Sequence, residues 1–333
     1  MKSFKNSLCV LMLLLFLAPC SDAAEVKLRF AGQFPEDHSA IKSMREIANG
    51  VREKTGGRVE IEVFPANRLG DYTIIYEDLM RGAVDMALIS VPSQFDPRLE
   101  LVYLNAFANY DVLKREFKPG SWLSKKMNEY NTRLGVKFLG FNIEGLTGIA
   151  SKKPVREPLN PNINKGVLAR VPFMNVYKSA AEAQGYRTIS LPYSDIARSL
   201  QDGTCDAVSS ISTGAALSEL KGIMKYWYQL NYSQETESYL MSAKSWDKLS
   251  EDDLAAIYAE VAKASAKSFE QAQQNDRKNL EMMRKNGVQV FTYTDAELLP
   301  LRRAVMENWK QLDPTMGSQL MKEARKHFSI KDK

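Results

Sequence analysis

Apolar residues recur along the chain in two rhythms, and their order predicts strands that alternate with helices. Val59, Ile61 and Val63 alternate with glutamates, which is the pattern of a half-exposed strand. From Ser39 onward, apolar residues instead recur every three or four positions, which predicts a helix capped by Ser39. The same patterns predict strands at 26–31, 59–63, 84–90, 167–171, 188–191 and 205–209, and further helices at 73–81, 176–184 and 194–201, the last capped by Ser194. This alternation indicates an α/β fold with a mainly parallel sheet.

A short pattern occurs once in each half of the chain. Leu-x-x-Gly-x-x-Asp begins at Leu79 and again at Leu200. We interpret the Leu as sealing a last helical turn, the Gly as ending the helix in a left-handed conformation, and the Asp as opening the next strand. The repeat predicts two lobes of similar construction. Because ligands of open α/β sheets bind beyond the carboxyl ends of the strands, two such lobes would form a cleft.

A stretch at 251–285 contains neither Pro nor Gly and carries an apolar stripe at helical spacing. A helix of this length would extend for about 50 Å, which is enough to brace both lobes. The alternative is a coiled coil, which the polar segment 271–276 disfavours because a coiled coil needs a sustained apolar seam.

The amino terminus has the features of a secretory signal. Lys2 and Lys5 precede an apolar run at 8–18, and small residues follow, which predicts cleavage near Ala23 or Ala24. The alternative is a membrane anchor, but the run is shorter than the roughly 20 residues that a spanning helix needs. We therefore expect residues 1–23 to be removed and the remaining chain to be exported.

Composition limits the possible functions. The 333 residues are 44% hydrophobic and 26% charged, which is ordinary for a folded protein of about two domains. The 45 Lys and Arg exceed the 40 Asp and Glu by only five. This scattered excess does not favour nucleic acid as a partner, but it is compatible with an anionic ligand.

Motifs for catalysis are absent from the sequence. It contains no G-x-S-x-G elbow, H-E-x-x-H helix, P-loop or G-x-G-x-x-G turn. With only His38, His327 and, after the signal, Cys205, no His and Cys metal cluster can form. We expect no metal and no cofactor, and we interpret Cys205 as a small buried residue. The sequence does not give the distances between its carboxylates, so a catalytic pair is left open. Because no motif or spacing singles one out, an enzyme is disfavoured.

Arg170 is the candidate binding residue that the pattern itself singles out. It lies near the end of an apolar strand, just before Pro172. Its planar fork suits a carboxylate held by two parallel hydrogen bonds. A surface or salt-bridged arginine is the alternative reading of the same residue.

The chain resembles the periplasmic solute-binding subunit, the dicarboxylate-binding P type, of tripartite ATP-independent periplasmic (TRAP) transporters. The resemblance covers essentially the whole chain after the signal. It is carried by Lys27-Leu-Arg-Phe-Ala, Thr55-Gly-Gly-Arg-Val-Glu-Ile-Glu-Val-Phe-Pro, Arg68-Leu-Gly, Arg81-Gly-Ala-Val-Asp-Met-Ala, Ala169-Arg-Val-Pro, Tyr193-Ser-Asp-Ile-Ala-Arg-Ser-Leu-Gln-Asp-Gly and the long helix after Leu249-Ser-Glu-Asp.

The resemblance implies a two-lobed periplasmic binding protein with a ligand cleft between the lobes and the long helix spanning both. It implies that 24–145 is mainly lobe 1, 146–240 mainly lobe 2, and 241–333 the long helix with C-terminal segments that pack on both. It also implies that Arg170 binds the substrate carboxylate. The other residues that it places at the ligand are Phe173, Tyr193, Ser210, Ser90, Thr147, Gln33, Phe34 and Tyr232.

The same resemblance implies a receptor, not an enzyme, which works as a monomer in the periplasm with TRAP membrane subunits. Two departures bear on the ligand: Thr147 lies near the place where sialic-acid-binding members have a second arginine, and Ser210 replaces an amide. A monocarboxylate or compact organic acid is therefore favoured, while a C4-dicarboxylate stays open. The alternative functions are a ligand sensor of the same fold that serves a membrane kinase, and a secreted hydrolase.

Overall fold

The computed structural model describes residues 25–104 and 109–328. The signal peptide and its cleavage near Ala23 or Ala24 lie outside these residues. The strands are β1 (Val26–Gly32), β2 (Val59–Phe64), β3 (Met86–Ile89), β4 (Val136–Ser151), β5 (Leu168–Val171), β6 (Arg187–Ser190), β7 (Ala207–Ser212), β8 (Tyr226–Gln229), β9 (Gln234–Ser242) and β10 (Gln289–Thr292).

Helices cover both faces of the sheet that these strands form. The α-helices are α1 (Ser39–Lys54), α2 (Tyr72–Arg81), α3 (Tyr110–Glu116), α4 (Trp122–Arg133), α5 (Asn175–Ala183), α6 (Ile196–Asp202), α7 (Thr213–Glu219), α8 (Ala243–Trp246), α9 (Glu251–Lys285), α10 (Asp295–Asn308), α11 (Asp313–Met316) and α12 (Ser318–His327). Short 3₁₀ helices occur at Pro97–Tyr103, Tyr193–Asp195 and Trp309–Leu312. Within the described part of the chain, no helix has the length and apolar character needed to cross a membrane.

One mixed sheet runs through the molecule in the order β2-β1-β3-β9-β4-β7-β5-β6, with β8 paired to β4 and β10 to β8. Pairing is parallel among β1–β3, among β5–β7 and between β8 and β10. It is antiparallel where β9 meets β3 and where β4 meets β7, β8 and β9. The prediction of a mainly parallel sheet therefore fits the outer strands and is wrong for the centre, because the strands that join the lobes run against their neighbours.

β4 belongs to both lobes. Nine of its first eleven residues pair with β9 beside lobe 1, the unit built on β1–β3. Its last residues pair with β7 and β8 in lobe 2, the unit built on β5–β7. The register shifts between Phe138 and Gly140, between Ile143 and Gly145, and between Gly148 and Ile149. The first two shifts insert an extra residue into β4 and so bend it, whereas at the third the extra residue, Ser210, belongs to β7. The predicted lobe boundary between residues 145 and 146 falls inside β4.

The repeated pattern has the same structural role in each lobe. Gly82 and Gly203 end α2 and α6 in the left-handed conformation, with φ of 75° and 85°. Asp85 then accepts a hydrogen bond from the backbone N–H of Arg29 in β1, at 2.8 Å. Asp206 accepts one from the N–H of Leu168 in β5, at 3.0 Å. Each Asp ties the start of one strand to its parallel neighbour, which confirms the two lobes of similar construction.

Two predicted helix caps are wrong. α1 is capped by His38, whose Nδ1 accepts from the N–H of Ala40 at 3.3 Å, so Ser39 is already the first helical residue. α6 begins at Ile196 after a 3₁₀ turn, and its N-terminal boundary has no side-chain cap, so Ser194 does not cap it. In both places a tight turn precedes the helix, so the residue at its N-terminal boundary is not the serine that capping preference favours.

The long helix α9 has the predicted bounds and braces both lobes, as expected. In lobe 1 it meets α1 through Lys54–Glu260, at 3.0 Å, and through Lys267 with Glu46. In lobe 2 it meets α7 where the amide of Asn279 donates to the hydroxyl of Thr213 at 3.1 Å. The C-terminal helices also reach both lobes, because α10 packs on α5 while α12 reaches α4 through a Lys126–Glu323 pair at 3.1 Å.

The apolar core is divided by the sheet. One cluster lies between the lobe 1 sheet, α1 and α9, and a second lies under α6 and α7 in lobe 2. The largest fills the opposite face beneath α2, α4, α5 and the C-terminal helices. Cys205 lies in the lobe 2 cluster, where burial raises the pKa of its thiol, which confirms that it is a small buried residue.

Candidate functional site

A pocket opens between the lobes at the carboxyl ends of their parallel strands. Counted out to its open mouth, it has an empty volume of about 500 Å³. Lobe 1, lobe 2 and the crossing strand β9 all contribute to it. The lining residues are Gln33, Tyr72, Ser90, Tyr103, Arg170, Pro172, Met174, Tyr177, Tyr193, Ser210, Ile211, Glu235 and Thr236.

Arg170 supplies the positive charge of this pocket. It lies in β5 between β6 and β7, and only 3% of its surface is exposed. Its Nε and Nη2 both donate to the carbonyl oxygen of Leu191, at 3.0 and 2.8 Å. This fixes one edge of the guanidinium and leaves the other edge, Nη1 with the second N–H of Nη2, free to donate.

Among the described residues, no carboxylate lies within 4 Å of the Arg170 guanidinium. Burial lowers its pKa, and the nearby Tyr72, Tyr193 and Glu235 oppose that change. An arginine stays charged at neutral pH even so. The pocket therefore presents a buried cation with one unoccupied hydrogen-bonding edge, which is the arrangement that binds an anion in a bidentate manner.

The lobe 1 wall is held by a reciprocal pair of hydrogen bonds. Gln33 follows β1 and Ser90 follows β3, so parallel pairing brings the two together. The amide of Gln33 donates to the hydroxyl of Ser90 at 3.2 Å, and the backbone N–H of Ser90 donates back to Gln33 at 2.9 Å. Nearby, Tyr103 accepts from the N–H of Val91 at 2.6 Å. These bonds fix the polar groups before any ligand arrives.

The lobe 2 wall contains Ser210 in a strained backbone conformation. Its φ of 62° lies in the left-handed region, which is unusual for a residue other than Gly. The phenol of Tyr232 lies 2.9 Å from the Ser210 hydroxyl and 2.5 Å from that of Ser209. Tyr232 is 1% exposed and does not line the pocket. It holds Ser210 from behind.

Tyr193 presents a hydroxyl group with no partner. Its phenol oxygen is buried and, among the described residues, accepts and donates no hydrogen bond. Its ring meets that of Phe34 edge-on, with centroids 6.1 Å apart. Phe34 is buried behind the pocket wall and stacks on His38, with centroids 4.1 Å apart. The contact joins the first loop of lobe 1 to lobe 2.

Five of the nine predicted site residues line the pocket, and four do not. The five are Gln33, Ser90, Arg170, Tyr193 and Ser210. Phe34 and Tyr232 lie behind the walls. Phe173 follows β5 and does not line the pocket, and 59% of its surface is exposed. Thr147 is fully buried opposite Ser212 in the β4–β7 ladder, so it does not reach the pocket.

Sequence reasoning missed several lining residues, most of them aromatic or carried by β9. The missed residues are Tyr72, Tyr103, Pro172, Met174, Tyr177, Ile211, Glu235 and Thr236. Pro172 and Met174 had a local signal, because they flank the end of the strand that carries Arg170. Glu235 and Thr236 had none, because the pairing of β9 with β4 brings them into the cleft from a distant part of the chain.

Glu235 is the acidic member of the pocket. One carboxylate oxygen accepts from the backbone N–H of Ser212 at 2.6 Å. Burial raises the pKa of Glu235 to about 7, and the neighbouring carboxylate of Glu144 acts in the same direction. The Ser212 hydrogen bond and Arg170 oppose this change without cancelling it. Glu235 therefore changes its charge near neutral pH.

No catalytic arrangement is present among the described residues of the pocket. Both histidines lie elsewhere: His38 is 3.4 Å from Glu144 behind the wall, and His327 pairs with Glu116 at 2.6 Å. The only thiol of the described chain, Cys205, does not line the pocket. An arginine fork, hydroxyl groups, aromatic walls and a carboxylate can hold a small molecule by hydrogen bonds and apolar contact.

Two lobes that enclose such a pocket define the class of two-lobed solute-binding proteins. The family model of the bacterial extracellular solute-binding proteins, family 7 (DctP), matches residues 30–314. The chain belongs to this family, which confirms the resemblance drawn from the sequence. It is a family of solute-binding receptors, not of enzymes.

Individual relatives are distant in sequence but similar over their whole length. The sialic acid-binding periplasmic protein SiaP of Vibrio cholerae is 22% identical over 95% of this chain and 97% of the relative. A sugar acid binding protein of Advenella mimigardefordensis, in complex with galactonate, is 19% identical, with a TM-score of 0.82 over 92% of this chain and 100% of that chain. A TRAP periplasmic solute-binding protein of Sulfurospirillum deleyianum, with bound succinate, is 20% identical, with a TM-score of 0.79 over 91% and 99%.

Proposed function

We propose that the protein is the periplasmic receptor of a TRAP transporter, which binds a small organic acid through its carboxylate and delivers it to the membrane permease subunits. The observation that carries this proposal is the buried guanidinium of Arg170. It is anchored along one edge by Leu191 and faces the pocket between the lobes with the other. Membership of the solute-binding family supports the receptor role.

The walls of the pocket support a compact ligand. Four tyrosines (Tyr72, Tyr103, Tyr177 and Tyr193) line it, and their rings offer apolar surface while their hydroxyl groups offer hydrogen bonds. We propose a monocarboxylate or compact organic acid, in contact with Arg170, Tyr193, Ser210, Ser90 and Gln33. Phe34, Tyr232 and Thr147 lie behind this first layer of contacts, and Phe173 lies at the surface outside it.

The energetics fit a receptor of moderate affinity. A hydrogen bond to a charged group contributes roughly 1.5–3 kcal/mol, and a micromolar dissociation constant corresponds to about 8 kcal/mol. A bidentate contact with Arg170 therefore supplies a large part of such an affinity but not all of it. Burial against the tyrosines and closure of the lobes about β4 and β9 supply the rest, as in hinged binding proteins.

The test of this proposal is to identify the ligand that the protein carries. The full chain is exported and processed by a bacterial host, purified without denaturation and then unfolded, and released small molecules are identified by mass spectrometry. We expect an organic acid from the wild-type protein and none from Arg170→Ala. Retention of the same acid by Arg170→Ala would show that Arg170 only supports the fold.

If the purified protein is empty, a thermal-shift panel of organic acids replaces the first measurement. A ligand at about 100 times its dissociation constant adds roughly 2.7 kcal/mol of stability, which is readily detected. A wild-type protein that no organic acid stabilises would contradict the proposed ligand class. Stabilisation that is lost in Arg170→Ala would support both the class and the anchor.

A further inference from the structure

The pocket holds a carboxylate that the proposed contact with Arg170 does not use. We infer that Glu235 selects the ligand: it accepts a hydrogen bond from a hydroxyl group, so the protein takes a hydroxylated monocarboxylate and rejects a dicarboxylate. This inference rests on the proposed function, because it assumes that the ligand is an organic acid anchored at Arg170.

The geometry leaves one oxygen of Glu235 without a protein partner. In the described part of the chain, Oε2 accepts from Ser212 and Oε1 accepts from no group. Because Oε1 has no partner and is not one of the fully buried unpartnered atoms, it retains exposed surface. Glu235 also lines the pocket. The free oxygen is therefore accessible to a ligand.

Burial of this carboxylate gives no ion pair in return. Among the described residues, no Lys, Arg or His nitrogen lies within 4 Å of Glu235, and the nearby Glu144 and Glu237 are acidic as well. A buried charge without a partner is costly unless hydrogen bonds satisfy it. Among the described residues, such bonds come from Ser212 alone, through its backbone N–H and its side chain, so the remaining acceptor capacity is directed to what occupies the pocket.

The neighbouring carboxylate on the same strand shows the contrast. Glu237 lies two residues along β9 and so on the same face of the sheet, but it accepts from the amide of Asn142 at 2.9 Å and does not line the pocket. The second oxygen of Glu237 is buried and has no partner among the described residues, so no ligand reaches it, whereas Glu235 reaches the cleft. Glu235 and Glu237 can therefore be compared as a carboxylate that faces the ligand and a control carboxylate that does not.

The polar groups of the pocket complement a hydroxylated chain. Arg170 takes the carboxylate, and Glu235 can accept from a hydroxyl group of the ligand. A hydroxyl group donates a hydrogen bond, whereas an ionised carboxylate cannot, so a hydroxylated acid meets this acceptor. When Glu235 is ionised, a second ligand carboxylate beside it would place two like charges together in a site shielded from water.

The experiment is calorimetric titration at pH 8, where Glu235 is mostly ionised, with acids matched in length. Erythronate and succinate both have four carbons, and galactonate and adipate both have six. We expect the wild-type protein to bind the hydroxylated acid of its preferred length at least tenfold more tightly than the matching dicarboxylate. In Glu235→Gln this ratio falls at least tenfold, because the amide removes the negative charge. Glu237→Gln, the matched control, keeps the ratio within about twofold.

Three results would overturn the inference and leave the proposed function standing. The first is tighter binding of the dicarboxylate, and the second is an unchanged ratio in Glu235→Gln. The third is tighter binding of the four-carbon amino acid 2-aminobutyrate than of erythronate, because Glu235 would then pair with an ammonium group. The wild-type ratio is decisive alone, even if a variant does not fold. If no acid binds to the wild-type protein, the proposed function fails and the inference falls with it.

Discussion

Arg170 and Glu235 are ionisable side chains that face one pocket, yet neither forms an ion pair within 4 Å among the described residues. Structural charges in protein interiors are normally paired, because the desolvation of an unpaired charge is costly. In this protein the two charges are instead held apart on β5 and β9, each fixed by a backbone group. Their separation keeps both available to a ligand, and it makes their roles testable one at a time.

Replacement of Arg170 by Lys keeps the charge and removes the fork. We expect Arg170→Lys to lose at least tenfold in ligand affinity, about 1.4 kcal/mol, because an ammonium group cannot hold both Leu191 and a carboxylate in a fixed plane. Calorimetry with the released ligand measures the loss. Arg187→Lys on the exposed end of β6 is the control. Near-normal binding by Arg170→Lys would contradict the bidentate contact.

The ligand-free protein should be more stable without the charge of Glu235. Because burial raises the pKa of Glu235 from about 4.5 to about 7, the folded state binds more protons than the unfolded state between these values. Wild-type stability therefore falls as the pH rises from about 4.5 to 7. A shift of this size corresponds to at most roughly 3–4 kcal/mol.

Thermal melts of ligand-free Glu235→Gln and wild-type protein test this linkage. We expect the variant to melt at a higher temperature at pH 8 and the difference to shrink at pH 5, where Glu235 of the wild type is protonated. A variant that is less stable than wild type at pH 8 would show that the charged form of Glu235 stabilises the fold.

Part of the site could be predicted from local pattern, and part could not. Arg170 was singled out by its place near the end of an apolar strand, at the edge where ligands of parallel sheets bind. Tyr193 and Phe173 came only from the family resemblance; Tyr193 lines the pocket, whereas Phe173 does not and is largely exposed. Glu235 lies in an antiparallel strand that no such rule covers. Its position depends on β9 pairing with β4, a contact between segments some 90 residues apart.

At the scale of elements, α9 was predicted to the residue, whereas the crossing strands were not assigned. A helix without Pro or Gly has a long periodic signal, capped here by Ser250. β4 is buried along most of its length and is interrupted by Gly140, Gly145 and Gly148, so it shows no clean alternation. Its direction is set by β9 and β7, which lie far away in the sequence.

Asp276 ties α9 to three other elements. Its carboxylate accepts from the backbone N–H of Leu146 in β4 at 3.1 Å, and from the hydroxyl groups of Tyr110 in α3 and Thr213 in α7. Gly145 leaves the space for it, since a Cβ there would lie 2.5 Å from the Asp276 carboxylate. Burial nevertheless raises the pKa of Asp276 to about 6.

Loss of this junction should destabilise the protein. We expect Asp276→Ala to lower the free energy of unfolding by about 2–4 kcal/mol, because it leaves the buried N–H of Leu146 and two hydroxyl groups without their acceptor. Denaturant titration measures the change. Glu270→Ala, at an exposed position of the same helix, should change stability by less than about 0.5 kcal/mol. An equally small effect of Asp276→Ala would contradict the role of the junction.

At the scale of the whole molecule, the two lobes share one sheet, one long helix and a C-terminal segment that packs on both. Multi-domain chains often unfold in separate steps. Here β4 cannot leave one lobe without breaking the ladder of the other, since its two ends pair with β9 and with β7. We therefore expect one cooperative unfolding unit.

Calorimetry tests this cooperativity. We expect a single transition for the ligand-free protein, with calorimetric and van't Hoff enthalpies that agree, and the same midpoint by circular dichroism. Two resolved peaks would show that the lobes unfold independently and that the shared strands do not couple them.

The shared strands also set how freely the lobes can move. Two separate bodies have six relative degrees of freedom, and their association costs roughly 4–15 kcal/mol of translational and rotational free energy. β4, β9 and α9 each contact both lobes, so we expect the folded chain to keep little of that freedom beyond a rotation about the bent strands. Closure of the lobes then fixes only the angle of this rotation, so the binding free energy of a small ligand is enough to drive it.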